Sequence, residues 1–437
     1  MTTRQTLNLL RAYESANVTF IDPDGSWPIV WERARGAHVW DADGKRYLDL
    51  TAAFGVAAAG HANPRVIKAG QKQMAILLHA MGDVHPHALK AQLARELSRI
   101  TFERWTRRKS KVQKGKTIFC NSGSEAVEAA LKTAMLATGK AGVIAFSGAY
   151  HGLGYGALNA THRDHFRSPF RPQLREFGHF VPFPACDADL GRIEESIARA
   201  SRGKHIGAIL VEPIQVRGGI NIPPRELLPR LRALCDDQGA LLILDEIYTG
   251  FGRTGKWFAC EHSAAAPDLI CLGKALTGGF PLSACVGRAD IMDAAWPPSS
   301  GEAIHTSTFL GHPVGCAMAL AQIREIETRK LVLRSEKLGR FLVAALSNFE
   351  PRTSNLKLSA RGLGLLVGVD IRLANGAPAT QAALKAIKTL LHRGFIFLPE
   401  GEHSNVISFT PPLTISESQL RNAVSALKEV LTTDEHG

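Results

Sequence analysis

The stretch "LLILDEIYTGFGRTGKW", residues 241–257, decides how the middle of the chain folds. It begins as an apolar strand and continues as a glycine-rich turn. Gly250, Gly252 and Gly255 match the dinucleotide pattern G-x-G-x-x-G, but the residues after Gly255 are poor helix formers. Trp257 stands where a phosphate-binding loop of the form G-x-x-x-x-G-K needs Ser or Thr. We therefore expect no nucleotide site in this turn.

Apolar strands alternate with amphipathic helices on both sides of this stretch. Helices are predicted for 124–140 and 225–239, the second ending at Gly239. The predicted strands are KTIFC (116–120), GVIAF (142–146), HIGAILV (205–211), ALLILDEI (240–247) and DLICLGKAL (268–276). Such alternation predicts an α/β fold with a mostly parallel sheet that is covered by helices on both faces. Ligands then bind at the carboxyl ends of the strands.

The last hundred residues have a different pattern, which is typical of a smaller α+β domain. A helix near 330–347 precedes two strands, LGLLVGVDI and NVISFTPPL, and a closing helix follows. We predict that this small domain is built from both ends of the chain. The expected division is an N-terminal segment 1–60, a large ligand-binding domain 61–330 and a C-terminal domain 331–437.

Composition narrows the class of protein. The chain has 437 residues, 45% of them hydrophobic, and no apolar run approaches the roughly 18 residues that span a bilayer. The N-terminus lacks a signal-peptide pattern, so we expect a cytoplasmic protein. The seven cysteines form no C-x-x-C pair, which favours buried thiols. Although the net charge is +12, the basic run 104–116 resembles a solvated connector, and we expect no nucleic-acid or membrane partner.

Asp245 and Lys274 are the residues most suited to chemistry. Asp245 ends the very apolar strand LLILD, where a carboxylate needs a cationic partner. Lys274 follows the next buried strand inside a glycine-flanked turn, and a lysine kept from water has a lowered pKa and becomes a nucleophile. Because the two strands are consecutive, we expect both side chains at one edge of the sheet.

A third feature, "NSGSEAVE", is typical of a phosphate site at a helix N-terminus. Ser122 and Glu125 have the spacing of a capping box, and Gly123 and Ser124 would offer N–H groups and a hydroxyl to an anion. By itself this pattern also describes an ordinary capped helix. A carboxylate, an amine and a phosphate cradle together indicate pyridoxal 5'-phosphate, which needs a lysine, an acidic partner for its ring nitrogen and a phosphate site.

Nine segments in order resemble the class III, or ω-amino, aminotransferases of pyridoxal-phosphate fold type I. They run from about residue 28 to 430 and are GAHVWDADGKRYLDL, GHANPRV, NSGSEAVEAALK, GAYHG, VEPIQ, LLILDEIYTGFGRTGKWFACEH, PDLICLGKALTGGFPLSACVG, HTSTFLGHPVGCAMALA and PPLTIS. The resemblance implies a large domain with a seven-stranded sheet. It also implies an enzyme that moves an amino group from an amine donor to an oxo-acid acceptor by ping-pong kinetics.

The same resemblance assigns roles to individual residues. Lys274 corresponds to the lysine that binds the cofactor covalently, and Asp245 to the partner of the pyridinium nitrogen. Gly123 and Ser124 correspond to the phosphate site, and Thr308 to a threonine that reaches the phosphate in the neighbouring subunit, which implies a homodimer with shared active sites. The cofactor pocket also includes four further residues: Tyr150 stacked on the ring, His151 beside it, Glu212, and Tyr248 in place of a usual glutamine.

Two departures from the family pattern bear on the substrate. Ser408 stands where amino-acid transaminases of the family carry an arginine that clamps the α-carboxylate, and Arg217 stands where its glutamate partner is usual. Serine cannot rebuild a bidentate clamp. We therefore expect an amine or ω-amino donor rather than acetylornithine or ornithine. Arg217 is a candidate for a relocated anion site, and Phe54 is expected near the substrate entrance.

Other functions remain open from the sequence. A pyridoxal-phosphate isomerase, such as an epimerase or aminomutase, or a decarboxylating lyase would have the same fold and cofactor. A non-catalytic protein of this fold is a further alternative, against which Lys274, Asp245 and the phosphate loop argue. His79, Asp83, His85 and His87 cluster in sequence, but their spacing fits packing at a dimer interface better than a metal site, and we expect no metal.

Overall fold

The computed structural model describes residues 1–23, 25–107, 112–347, 349 and 355–432. Part of the predicted basic connector, residues 108–111, lies outside the described residues, as do 348, 350–354 and 433–437 of the predicted small domain. Among the described residues, no helix is both long enough and apolar enough to cross a membrane.

A seven-stranded sheet forms the centre of the molecule, and the predicted α/β architecture is confirmed. The order of its strands is β4-β10-β9-β8-β7-β5-β6. Six of the strands run in one direction, and β10 runs in the opposite direction between β4 and β9. The strands are β4 (Gly115–Cys120), β5 (Gly142–Phe146), β6 (Gly178–Val181), β7 (Ile206–Val211), β8 (Leu241–Asp245), β9 (Leu269–Leu272) and β10 (Ser283–Arg288).

The α-helices of the described residues are α1 (Thr3–Tyr13), α2 (Ala52–Gly55), α3 (Pro64–Ile76), α4 (Ala88–Ser98), α5 (Arg104–Thr106), α6 (Gly123–Thr138), α7 (Tyr155–Leu158), α8 (Asp164–Arg167), α9 (Leu190–Ser201), α10 (Leu227–Gln238), α11 (Ala289–Ala295), α12 (Pro313–Thr328), α13 (Leu331–Ser347), α14 (Thr380–His392) and α15 (Glu417–Thr432). Of these, α6 and α10 pack on the central sheet, whereas α13 and α14 pack on the smaller sheets described below. Every residue of β7 and β9 is buried. Since each buried Val, Leu or Ile side chain contributes roughly 1.5–3 kcal/mol, these strands are strong sources of stability.

Two four-stranded sheets contain the remaining strands. The first joins both ends of the chain, because β1 (Trp31–Arg35), β2 (His38–Asp41) and β3 (Arg46–Asp49) continue into β13 (Phe395–Ile396). The second has the order β11-β12-β15-β14, with β11 (Leu356–Leu363), β12 (Leu366–Leu373), β14 (Leu398–Glu400) and β15 (Val406–Phe409). The pairing of β3 with β13 supports a small domain built from both termini, whose boundaries stay a prediction.

The glycine-rich turn of the opening stretch is a packing element. All residues from Gly250 to Gly255 are buried, so their backbone N–H groups face protein. Within the turn, the guanidinium of Arg253 is fully buried and its Nη1 donates to the carbonyls of Leu365 and Pro411, at 2.9 and 2.6 Å. The turn therefore attaches the second small sheet to the large one.

Gly364 is the closest point of this attachment. It has a φ of +55°, and a Cβ there would lie 2.4 Å from the carbonyl carbon of Thr254 and 2.5 Å from the nitrogen of Gly255. Both atoms belong to the backbone of the buried turn, so they have no room to move away. Only glycine allows the β11–β12 turn to come this close.

Gly364→Ala is expected to reduce the free energy of unfolding by roughly 3 kcal/mol or more, because steric overlap adds to the unfavourable φ. Gly376→Ala is the matched control, since Gly376 has a φ of +89° with nothing within 4 Å of an added Cβ. That control should lose only about 1 kcal/mol. Thermal unfolding of both variants measures the difference, and equal losses would contradict the packing role of Gly364.

Candidate active site

A cavity of about 660 Å³ lies at the carboxyl ends of β8 and β9. Residues predicted from the sequence form most of its wall: Phe54, Gly123, Ser124, Tyr150, His151, Glu212, Arg217, Asp245, Tyr248 and Lys274. Gly152, Leu153, Gly154, Phe166, Ile247 and Thr249 complete it. Of the predicted site residues only Thr308 is not part of this wall; it is exposed in the segment before α12.

Asp245 is held in place at the end of β8. One carboxylate oxygen accepts the backbone N–H of Ile247 at 3.1 Å, and the other lies 2.8 Å from Nδ1 of His151. His151 is itself buried, and its second ring nitrogen, Nε2, has no hydrogen-bond partner among the described residues. A buried imidazole with one paired and one unpaired nitrogen is expected where a polar ligand binds beside it.

Lys274 occupies a constrained backbone position directly after β9. Its φ is +43°, which is uncommon for a residue with a side chain and is found at functional sites. Its Nζ lies 4.7 Å from the centre of the Tyr248 ring. Burial lowers the pKa of this amine, while the carboxylates of Asp245, Glu212 and Glu400 oppose the shift.

Tyr248 presents its ring rather than its hydroxyl to Lys274. The hydroxyl lies 3.3 Å from Oγ1 of Thr410, which in turn donates to the carbonyl of Thr51. Gly55 packs on the ring, where an added Cβ would come within 2.8 Å. The expected hydrogen bond from this hydroxyl to the cofactor stays a prediction.

The N-terminus of α6 forms one end of the cavity. Ser122 caps the helix by accepting the N–H of Glu125, but the Glu125 carboxylate returns to the N–H of Asn121 rather than to that of Ser122. The predicted reciprocal capping box is therefore shifted by one residue. Ser124 Oγ accepts the N–H of Gly154 at 3.0 Å. The free N–H groups of this first turn favour an anion.

Glu212 holds the segment that carries Tyr150. Its two oxygens accept the backbone N–H groups of Tyr150 at 3.0 Å and Val216 at 3.3 Å. Burial raises the pKa of Glu212 to about 7, the His151 ring opposes this shift, and Asp245 adds to it. The Tyr150 ring packs edge-on against Phe166, with centroids 5.6 Å apart.

Arg217 also lines the cavity and is paired with Glu400. Its Nη1 donates to Glu400 Oε2 at 3.0 Å, and 29% of the Arg217 side chain is exposed whereas none of Glu400 is. Ser408 is buried and donates to the carbonyl of Leu398, so it does not contact the cavity. The two positions that depart from the family pattern thus have separate partners.

The remaining predicted residues lie near the mouth of the cavity or away from it. Phe54 is about half exposed and follows Ala52 and Ala53 in a run of positive φ angles that turns the chain toward the cavity. His79 packs edge-on against Phe309, and His87 Nε2 lies 2.7 Å from the carbonyl of Gly311. These histidines belong to the surface around α4 and Phe309.

Sequence patterns did not identify Glu400, Thr410 or Ile247. Glu400 is 183 residues from Arg217 in sequence, and an acidic residue at the end of a short strand gives no sign of its partner. Thr410 sits in the quoted segment NVISFTPPL, but nothing there indicates a contact with Tyr248. Ile247 acts through its backbone N–H, which no side-chain pattern reports.

Comparison with known proteins now identifies the family. The pattern of aminotransferase class III matches residues 21–431. An acetylornithine aminotransferase of Methanosarcina mazei is 36% identical, covering 93% of this chain and 92% of its own. The 5-aminovalerate aminotransferase DavT of Pseudomonas aeruginosa is 37% identical, covering 92% and 93%. A solved amine transaminase from an uncultivated Pseudomonas species, in its PLP-bound form, has a TM-score of 0.85 and 28% identity, covering 96% and 98%.

The chain belongs to the class III aminotransferase family. It is accordingly a pyridoxal-phosphate-dependent aminotransferase, and the sequence-based expectations for family, fold and cofactor are confirmed. The cavity fits this cofactor: it offers the unpaired buried Nε2 of His151, a buried amine on Lys274 and the anion-favouring N-terminus of α6.

Glu212 predicts a pH effect on the stability of the cofactor-free protein. Its pKa is raised from 4.5 to about 7 by folding, so its favourable contribution is complete below pH 4.5 and is lost as the pH rises through 7. Glu212→Gln removes this loss, which amounts to at most about 3 kcal/mol.

Unfolding temperatures at pH 5 and pH 8 measure the effect. The unfolding temperature of Glu212→Gln minus that of the wild type should be larger at pH 8 than at pH 5. Glu195→Gln, which changes an exposed carboxylate on α9, should follow the wild type at both pH values. If Glu212→Gln differs from the wild type in unfolding temperature by the same amount at both pH values, the raised pKa of Glu212 is contradicted.

Proposed function

We propose that the enzyme transfers an amino group from an amine or ω-amino donor to an oxo acid, with the cavity around Lys274 as its active site. One observation carries this proposal: Lys274 and Asp245 lie at the ends of the neighbouring strands β9 and β8, and both line the same cavity together with His151, the partner of Asp245. The overall ping-pong reaction follows from a single site that binds donor and acceptor in turn.

Each side chain of the cavity has a distinct task in this proposal. Pyridoxal phosphate, when bound, supplies an aldehyde that accepts the amino group and a ring that withdraws electrons from the neighbouring carbon. Gly123 and Ser124 would hold its phosphate at the α6 N-terminus, and Tyr150 would pack against its ring. Asp245, oriented by His151, would stabilise a positive charge on the ring nitrogen, and the low-dielectric surroundings would strengthen this interaction.

Lys274 moves the proton. Burial lowers the pKa of its amine, which favours the neutral form that can accept a proton from the carbon that bears the amino group. Its ammonium form would then deliver that proton to the carbon on the other side of the same nitrogen, so that the nitrogen stays with the cofactor. The Tyr248 ring beneath Nζ stabilises the cationic form between the two transfers.

Lys274→Ala is expected to lose the visible absorbance of the lysine-bound cofactor and at least about a thousandfold of kcat, because both the covalent link and the proton carrier are removed. Lys256→Ala, at an exposed lysine of the neighbouring turn, is the control. Absorbance spectra and assays with pyruvate measure both properties. A Lys274→Ala variant with wild-type turnover would refute the assignment, and turnover without an oxo acid would instead indicate an isomerase.

The donor preference follows from residues 217 and 408. Residue 408 is a serine, and its hydroxyl donates to the carbonyl of Leu398. This position therefore offers no arginine clamp for an α-carboxylate. Arg217 provides a cation in the cavity wall for a distal carboxylate. The similarity to a 5-aminovalerate aminotransferase and to an amine transaminase supports such donors. The acetylornithine relative has comparable identity, so overall similarity alone does not decide between the donors.

We further propose that the enzyme is a cytoplasmic homodimer with shared active sites. An exposed apolar stretch begins at the last residue of α3 and includes Ile76, Leu78, Met81 and Val84, each more than half exposed. Phe309, beside Thr308, is also 53% exposed. Such a surface favours a protein interface, and a second copy of the chain would cover it. Thr308 would then reach the cofactor phosphate of the neighbouring subunit.

Mixing two defective variants tests the shared site. Thr308→Asp places a negative charge toward the partner's phosphate and should weaken cofactor binding at least about tenfold. Lys274→Ala inactivates its own site. The two variants are mixed in equal amounts, unfolded and refolded together, so that half of the dimers are mixed. In a mixed dimer one of the two sites contains neither substitution. Activity should therefore return to about a quarter of the wild type. No recovery, although mixed dimers are detected by mass spectrometry, would contradict a shared site.

A further inference from the structure

Four consecutive residues beside the cavity have left-handed backbone conformations. The φ angles of Ala52, Ala53, Phe54 and Gly55 are +48°, +51°, +60° and +80°. Residues other than glycine rarely adopt such angles, and then at single positions, because Cβ comes too close to the backbone. The left-handed turn 52–55 contains three such residues in a row, so it is strained and persists only where its surroundings hold it.

This left-handed turn contributes to two parts of the cavity. Phe54 belongs to the cavity wall and is 49% exposed. Gly55 packs on the ring of Tyr248, and Nζ of Lys274 lies over the same ring. The conformation of the turn therefore affects both the phenylalanine at the mouth and the tyrosine beside the reactive amine.

A buried carboxylate holds the start of the turn. Asp49 has no exposed side-chain surface, and its Oδ1 accepts the backbone N–H and the hydroxyl of Thr51 at 2.8 and 2.6 Å. The Thr51 hydroxyl oxygen in turn accepts the N–H of Ala53 at 3.1 Å. The carbonyl of Thr51 accepts the N–H of Gly55 at 2.8 Å and the hydroxyl of Thr410 at 3.2 Å.

His61 binds the other oxygen of this carboxylate. Its Nε2 lies 2.7 Å from Asp49 Oδ2, and it donates there when Nε2 carries the proton. The ring of Trp31 packs edge-on against the imidazole, with centroids 5.7 Å apart, and the backbone of His61 pairs with that of Gly36. Since both oxygens of Asp49 are used within the protein and neither Asp49 nor His61 lines the cavity, the pair acts on the turn rather than on a ligand.

We propose that Asp49 and His61 are positioning residues, which set the donor specificity of the cavity by holding the left-handed turn. With this clamp in place, Phe54 keeps one position at the mouth and excludes donors that are branched at the carbon bearing the amino group. Without it, the strained residues relax to ordinary φ angles and Phe54 loses its fixed position. The inference rests on the proposed function, because it concerns the donors of the same cavity.

Hydrogen exchange of the cofactor-free protein, measured by peptide mass spectrometry, tests the clamp without turnover. Asp49→Ala should speed exchange across residues 52–56 at least about tenfold, and His61→Ala should change it in the same direction. His61→Gln keeps an N–H donor and should retain most of the protection. Asp43→Ala removes an exposed carboxylate before β3 and should have no effect. Unchanged exchange in both alanine variants of the clamp would overturn it.

Two isomeric amines, 1-aminopentane and 3-aminopentane, test the specificity with pyruvate as acceptor. The ratio of their kcat/KM values isolates the branching. In Asp49→Ala the preference for 1-aminopentane should fall about fivefold, mainly through a lower KM for 3-aminopentane, because a mobile Phe54 excludes it less. A residue that only stabilises the fold would change both amines equally, and that result removes Asp49 from specificity. His61→Ala replaces Asp49→Ala if the latter folds poorly.

A glycine in the turn provides a rescue that depends on the strain itself. Glycine adopts a positive φ without a steric penalty, so Ala53→Gly added to Asp49→Ala should return the donor ratio to within about twofold of the wild type. Ala57→Gly is the matched control, since Ala57 is buried and lies outside the run of positive φ angles, and it should not rescue. Equal effects of the two glycines would show that the clamp does not hold strain.

The outcomes separate this inference from the proposed function. A wild type that transaminates neither amine defeats the proposed function for such donors. Binding of the corresponding alcohols, 1-pentanol and 3-pentanol, measured by ligand-observed NMR, then decides the specificity role together with hydrogen exchange. The preference for 1-pentanol should fall in Asp49→Ala, and an unchanged preference would contradict the positioning role.

Discussion

The parallel pairing of β8 with β9 is the constraint on which the site depends. In this register Asp245 lies opposite Cys271, three residues before Lys274, so the two strands deliver a carboxylate and an amine to one edge of the sheet. Both strands are buried against the core, which fixes their separation and direction. The other groups of the site, from the α6 N-terminus to His151, are arranged around this edge.

Burial then controls the chemistry of each charged group. Water is scarce around Lys274, which lowers the pKa of its amine, and the same burial raises the pKa values of Glu212 and Glu400 to about 7. Hydrogen bonds from backbone N–H groups and from Arg217 oppose the shifts of these carboxyl groups. The cavity thus combines the amine of Lys274 with the guanidinium of Arg217, which is paired with the buried Glu400.

Local sequence patterns predicted the elements that carry the site. Strands β4, β5, β7, β8 and β9, the helix after Ser122, and the joint position of Asp245 and Lys274 follow from periodicity, caps and apolar runs. The antiparallel β10 was not predicted, because SACVGR is short and shows no clear alternation. Glu400 and the close approach of Gly364 depend on contacts between distant segments, which local patterns do not contain. The sequence places a tyrosine at position 248, but it does not indicate that the hydroxyl of this tyrosine points toward Thr410.

Chemical trapping of the cofactor tests the central claim most directly. Reduction of the cofactor-loaded enzyme with borohydride makes the bond between cofactor and lysine permanent, and peptide mass spectrometry then locates it. The account predicts a single modified peptide, with the added mass on Lys274. The modification of a different lysine, or of several at similar levels, would contradict the pairing of Lys274 with Asp245 across one cofactor ring.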